Sequence, residues 1–132
     1  MGIALSLRDW IATYPHLPVA KKDFAVDALP SENTAFEAMS IQMSGGEVLE
    51  EDIDGGQLIR EQFTLLYKMA FTDSSKIKSE MMDALNQIGA WMKNNQPEFG
   101  EVEQTQRARL HSQKPNEIIY QATYTIDYNL TP

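Results

Sequence analysis

The sequence predicts an α+β two-layer sandwich, with two helices packed on one face of an antiparallel or mixed sheet of about five strands. Two segments place apolar residues three and four positions apart, which is typical of amphipathic helices. Other segments alternate apolar and polar residues, which is typical of strands with one buried face. The predicted order is helix, three strands, helix, two strands. Laying both helices on the same side of the sheet buries all of these apolar faces together.

The first third of the chain predicts one helix and two short strands. The helix is predicted from about Ile3 to Thr13, because Pro15 cannot continue it. A strand between Asp23 and Leu29 has branched and alternating residues and is ended by Pro30. A second strand is predicted from Phe36 to Met43. The apolar stripe of the helix consists of Ile3, Leu7, Trp10, Ile11 and Tyr14.

The middle of the chain predicts a turn, an acidic stretch and a long strand. Ser44, Gly45 and Gly46 favour a turn. Residues 47–56, EVLEEDIDGG, carry five carboxylates, which predicts an exposed loop or a sheet edge. From Leu58 to Thr72 the pattern has period two, which predicts a strand with one buried face.

A second helix is predicted from about Ser75 to Asn94, capped by Asp73 or Ser74 and unable to pass Pro97. Its apolar stripe comprises Ile77, Met81, Leu85, Ile88 and Met92 or Trp91. Since Trp10 and Trp91 both lie on apolar stripes, both are predicted to pack toward the sheet.

The last third of the chain predicts a hairpin. One strand runs from about Glu101 to His111, a turn occupies residues 113–116, and a return strand runs from Glu117 to Leu130. The return strand alternates regularly, and its polar face is rich in Thr, which suits a partly covered sheet.

Length and composition limit the classes of protein. A chain of 132 residues fits a single domain, 1–132, and can bury one core. The absence of cysteine excludes disulfides and thiolate chemistry. The sequence contains no apolar run near the roughly 20 residues that span a bilayer, so we expect no membrane contact. The net charge of −8 opposes binding to phosphate backbones, so sequence-specific nucleic-acid binding is not expected.

The acidic stretch is the one local pattern that could bind a metal ion. A calcium loop beginning at Asp52 would place Asp54 correctly, but Gly56 would replace a ligand and Phe63 the bidentate Glu. We therefore expect a solvated or partner-facing loop without metal or other cofactor. A small metal-dependent hydrolase or nuclease that uses this loop remains an alternative.

No catalytic signature is present. His16 and His111 have no second ligand or nucleophile near them in sequence, and the chain lacks both a nucleophile elbow and a phosphate-binding loop. The sequence thus predicts a protein that is not an enzyme.

A short basic row is predicted on the strand that begins near Glu101. Arg107, Arg109 and His111 alternate there, and they could pair across the sheet or dock on an acidic patch of a neighbouring subunit. The candidate interface residues are Glu50, Glu51, Asp52, Asp54, Arg107 and Arg109.

Nearly the whole chain resembles the small minor capsid proteins of siphophages. The resemblance is carried, in order, by SLRDWIATYPHL, VDALP, the DG of Asp54 and Gly55, Arg60 with FTLLYKMAF, LNQIGAWM and IIYQATYTIDY. In that family the central strand often continues into a Ser-Arg pair, where this chain has Lys68 and Met69. The order of elements is also similar to that of tail terminator and tail-completion proteins, which form rings on the tail tube.

This resemblance implies a structural virion protein at the head-tail joint or tail end, assembled in the host bacterial cytoplasm. Its partners would be other phage head or tail proteins and further copies of itself, in a homo-oligomer that could close into a ring with an acidic lumen. The alternative from a different class is a stand-alone α+β ligand-binding or regulatory domain, which would need an enclosed, mostly apolar pocket.

Overall fold

A computed structural model describes residues 2–131 and contains two helices and five strands in the predicted order. Short 3₁₀ turns at Lys21–Asp23 and Pro30–Glu32 flank the first strand. The helices are α1 (Ile3–Ile11) and α2 (Ser75–Asn94), and the strands are β1 (Phe24–Val26), β2 (Ala38–Glu51), β3 (Gln57–Ala70), β4 (Glu101–Lys114) and β5 (Glu117–Leu130).

The five strands form one mixed sheet in the order β1-β2-β3-β5-β4. β1 is parallel to β2, and the other neighbours are antiparallel. The sheet contains two hairpins, β2–β3 and β4–β5, and their turns lie at opposite ends of the sheet. Gln57, next to the first turn, pairs with Leu130 at the end of β5, and Glu117, next to the second turn, pairs with Ala70 at the end of β3. The α+β sandwich predicted from the sequence is confirmed.

Both helices pack on the same face of the sheet, called the helix face below. Phe63 and Tyr124 are fully buried there, and their rings stack at 5.2 Å. The Tyr124 hydroxyl donates to the Leu85 carbonyl of α2 at 3.0 Å, which ties the sheet to the helix. Other fully buried residues of this core are Leu7, Ile11, Met39, Ile41, Leu65, Ile88 and Ile126.

Trp10 and Trp91 join the two helices. Their ring centroids lie 5.4 Å apart, and Phe99 meets Trp10 edge-on at 6.5 Å. The Trp10 indole also donates to the carbonyl of Asn95 at 3.0 Å. Both tryptophans are partly buried and pack against the core, as their positions on the apolar stripes predict.

The turn predicted at Ser44–Gly46 is wrong. β2 runs straight through these residues, with a bulge between Met43 and Gly45. Gly45 has φ of 110°, a conformation that glycine adopts without strain, and it stays paired with Gln62 of β3. The two glycines therefore bend a continuous strand, and the acidic stretch continues it at the sheet edge, one of the two placements expected for it.

β1 is shorter than predicted, and the segment after it covers part of the other side of the sheet, called the outer face. Asp27 has φ of 53°, which ends the strand after Val26. The following segment buries Pro30, and the carbonyl of Asn33 accepts a hydrogen bond from Lys68 Nζ at 2.7 Å. Lys68 lies on the outer face, opposite Ala38 and Ile119.

The strands are longer than the layer of helices that covers them. A strand of 14 residues extends about 46 Å, whereas the 20 residues of α2 extend about 30 Å. The far end of the β2–β3 hairpin, residues 47–60, extends beyond the start of β4 at Glu101, which is level with Arg60, and Val48 on the helix face of this end is 52% exposed. We refer to these residues as the hairpin arm.

Candidate interaction surfaces

The predicted acidic residues lie at the tip of the hairpin arm. Glu50 and Glu51 end β2, and Asp52 and Asp54 belong to the turn. All four are exposed. The turn is closed by a hydrogen bond from the Gly55 amide to the Asp52 carbonyl at 3.1 Å, and φ of 91° at Gly55 explains the glycine there. This geometry holds a fixed group of carboxylates in solvent.

Exposed apolar side chains accompany these carboxylates. Ile53 lies at the outermost position of the turn and is fully exposed, and Val48 is 52% exposed although it lies on the helix face. Leu49 and Leu130 are exposed nearby. The arm tip thus combines negative charge with apolar surface that nothing in the described part of the chain covers.

The carboxylates of the arm do not form a recognisable metal site. Among residues 2–131 no three acidic or histidine side chains come together in an arrangement that could hold a metal ion. Strand geometry projects Glu50 and Glu51 to opposite faces of the sheet, because their partners Leu58 and Gln57 are successive residues of β3.

We expect calorimetric titration with Mg²⁺, Mn²⁺ or Ca²⁺ to give no tight stoichiometric binding, because hard cations require several oxygen ligands at one point. The matched control is the double variant Asp52→Asn with Asp54→Asn. Tight binding by the unmodified protein that disappears in this variant would contradict the expectation.

Arg107 and Arg109 do not share a face, contrary to the alternation expected from the sequence. β4 is bulged between Gln106 and Arg109, which breaks the period of two. Arg107 consequently lines a cavity together with Lys93 of α2, whereas Arg109 pairs with Gln121 on the outer face. The basic row is therefore divided between the two sides of the sheet.

Arg109 is already engaged within the chain. With its amide oxygen turned toward the guanidinium, Gln121 accepts hydrogen bonds from Arg109 Nε and Nη2 at 3.0 Å, and its nitrogen donates to His111 Nδ1 at 2.7 Å. The acidic turn is also far from Arg109. Gln57, next to the turn, pairs with Leu130 of β5, whereas Arg109 pairs with Gln121 of the same strand, and these two positions of β5 lie about 30 Å apart. Within residues 2–131 no ion pair joins the arm to Arg107 or Arg109.

The strongest ion pair on the sheet was not predicted. Arg60 of the arm donates from Nε and Nη2 to the two carboxylate oxygens of Asp127 at 2.7 and 2.8 Å. Hydrogen bonding and the charge of Arg60 lower the pKa of Asp127. Both residues lie at polar positions of strands in which polar and apolar residues alternate. Their pairing depends on the register between β3 and β5, which the sequence does not reveal. The pair fixes the base of the arm to β5.

This pair should make stability depend on pH in acid. A carboxyl group with a lowered pKa stabilises the fold above the ordinary value of about 3.9, and the contribution is lost as the pH falls through the lowered value. We expect the urea midpoint of the unmodified protein to fall further between pH 5 and pH 2.5 than that of Asp127→Asn, which should be the less stable protein at pH 7. The difference should be small, because the pair is partly exposed. Parallel curves would rule out this contribution.

Comparison with known proteins adds no relative. No model of a known protein family matches the chain, and no curated protein has a matching sequence. In the part of the chain that the structure describes, neither helix has the length and apolar character needed to cross a membrane.

Proposed function

We propose that the chain is a structural virion protein of a long-tailed bacteriophage or prophage. It acts at the head-tail joint or the tail end as a minor capsid or tail terminator-like component, through contacts with other head or tail proteins and with copies of itself. The observation that carries this proposal is the hairpin arm, which extends beyond the start of β4 with exposed carboxylates and an exposed Ile53.

The arm supports a binding role because it exposes a group of apolar side chains to water. Ile53, Val48 and Leu49 are clustered on one projection instead of being scattered singly over the surface. The arm is also firmly paired, since β5 runs beside β3 as far as Leu130, so it reaches a neighbouring molecule without ordering a flexible segment, which reduces the entropic cost of association.

The charge of the protein agrees with a position near passing DNA. A net charge of −8 weakens adhesion to phosphate backbones, and an assembly of several copies would repeat that charge around a lumen. DNA would then slide through without sequence-specific contacts.

Among residues 2–131 the sheet has two open edges, which are one possible route for contacts between copies. β4 is unpaired along one edge, and β2 has no neighbour beyond Ile41 on the other. Both edges are bulged, and the amide of Ala108 already donates to Asn86 Oδ1 at 2.9 Å, so a continuous ladder between copies is disfavoured. Side-chain contacts through the arm are the better-supported route to a closed ring.

The alternative, a stand-alone ligand-binding or regulatory domain, would need a suitable pocket. A cavity of about 620 Å³ lies between the loop after α2 and the end of β5. Its lining includes the carboxylates of Glu98, Glu101 and Asp127, whereas small-molecule pockets are mostly apolar. The cavity therefore gives this alternative little support.

Electron microscopy of phage particles assembled without the protein tests the proposal. We expect unjoined heads and tails or tails of irregular length, and mass spectrometry should find the protein in purified complete virions. Normally joined particles, or virions that lack the protein, would overturn the proposal.

A further inference from the structure

A small cavity at the end of the sheet opposite the arm has a buried cation at its wall. The cavity has a volume of about 230 Å³, and its lining includes Ser31, Asn33, Thr34, Phe36, Lys68 and Asn116. We refer to it as the Lys68 pocket. Lys68 is only 7% exposed, so most of its side chain is removed from water.

Lys68 has an incomplete set of partners for a buried charge. Its Nζ donates to the Asn33 carbonyl at 2.7 Å, and no carboxylate among residues 2–131 lies within 4.0 Å of it. Glu117 also lines the pocket, but it is paired with Lys114 at 3.6 Å. Because buried charges are ordinarily paired, the pocket has the chemistry to receive a carboxylate from outside.

The rim of the pocket also carries apolar side chains beside its polar ones. Phe36 is 82% exposed, and Ala35 and Met69 also line the cavity. A matching ligand would therefore present an apolar side chain directly beside a carboxylate.

The tip of the hairpin arm has this composition. Ile53 is fully exposed and is flanked on both sides by Asp52 and Asp54. The arm cannot reach the pocket of its own chain, because Gln57 and Lys68 are about 36 Å apart along β3. The complementary surfaces can meet only between two molecules.

We infer that the arm tip of one copy binds in the Lys68 pocket of a second copy, with Ile53 against Phe36 and a carboxylate of Asp52 or Asp54 on the Lys68 ammonium. This inference rests on the proposed function and deepens it, since it names the partner of the arm as a further copy of the chain. The contact is heterologous, so repetition closes a ring when the rotation between neighbours permits and otherwise continues as a filament.

A complementation experiment tests this contact by sedimentation velocity over a range of concentrations. The pocket variant is Lys68→Met, which keeps the apolar stem and removes the charge. The arm variant combines Ile53→Ser with Asp52→Asn and Asp54→Asn. We expect the unmodified protein to associate, more weakly at high salt, and each variant alone to associate at least tenfold more weakly.

The equimolar mixture of the two variants discriminates between a contact surface and a structural role. The pocket variant retains an arm and the arm variant retains a pocket, so the mixture should form a dimer and no larger species. Lys76→Met, which removes an exposed lysine of α2 that does not line the pocket, should associate like the unmodified protein. Phe36→Ser changes an exposed residue and serves as a second pocket variant if Lys68→Met does not fold.

Three outcomes would overturn the inference. These are a monomeric unmodified protein at every concentration, variants that associate like the unmodified protein, and a mixture that associates no more than its components. None of them decides whether the protein belongs to the virion, because the particle experiment tests that separately.

Discussion

Replacing Tyr124 with Ala is expected to lower the free energy of unfolding by about 3 to 5 kcal/mol, the range for removing a large aromatic side chain from a packed core. Tyr124 is completely buried, stacks on Phe63 and donates to the Leu85 carbonyl. The substitution therefore leaves a cavity at the contact between the sheet and α2. Urea unfolding followed by circular dichroism measures the loss.

Tyr124→Phe is the matched control, because it keeps the ring and removes only the hydroxyl. We expect a cost of about 0.5 to 1.5 kcal/mol, which is typical of one hydrogen bond. Burial also raises the pKa of Tyr124, so the folded state disfavours the phenolate and stability should fall above about pH 10. Equal stability of the Ala and Phe variants would show that the ring does not fill the core as described.

Replacing Trp10 with Ala is expected to cost about 3 kcal/mol, the lower end of the range for tryptophan because the side chain is only partly buried. The change removes the ring contacts with Trp91 and Phe99 and the hydrogen bond to Asn95. The melting temperature should fall by about 10 °C.

Trp10→Phe is the control for this site, because it retains an aromatic ring between the helices and loses the indole donor. It should melt between the unmodified protein and Trp10→Ala. An unchanged melting temperature for Trp10→Ala would mean that the contact between α1 and the end of α2 contributes nothing to stability.

The elements predicted most accurately are those specified by local patterns. α2 begins at Ser75 and ends at Asn94 as predicted, because Ser74 caps it and its apolar stripe persists to Met92. β5 extends from Glu117 to Leu130 as predicted, because its alternation is unbroken. In both cases the residue pattern and the local geometry agree over the whole element.

The β2–β3 hairpin was only partly predictable. The composition of the acidic stretch predicts an exposed loop or a sheet edge, and the structure shows it at the edge, in β2 and the turn that follows. Gly45 and Gly46 favour a turn by residue type, whereas pairing with β3 keeps them in the strand beside a bulge at Ser44. Glycine permits either conformation, so only the neighbouring strand decides between them.

The two helices, the alternating strands and the negative charge can be read from the residue pattern, because periodicity and composition are local properties. The tertiary structure is needed to show that bulges separate Arg107 from Arg109 and that Arg60 meets Asp127. It also shows that Lys68 is buried with no carboxylate of residues 2–131 within 4.0 Å of its Nζ. These features depend on strand register and on the segment that crosses the outer face, and residues distant in sequence set both.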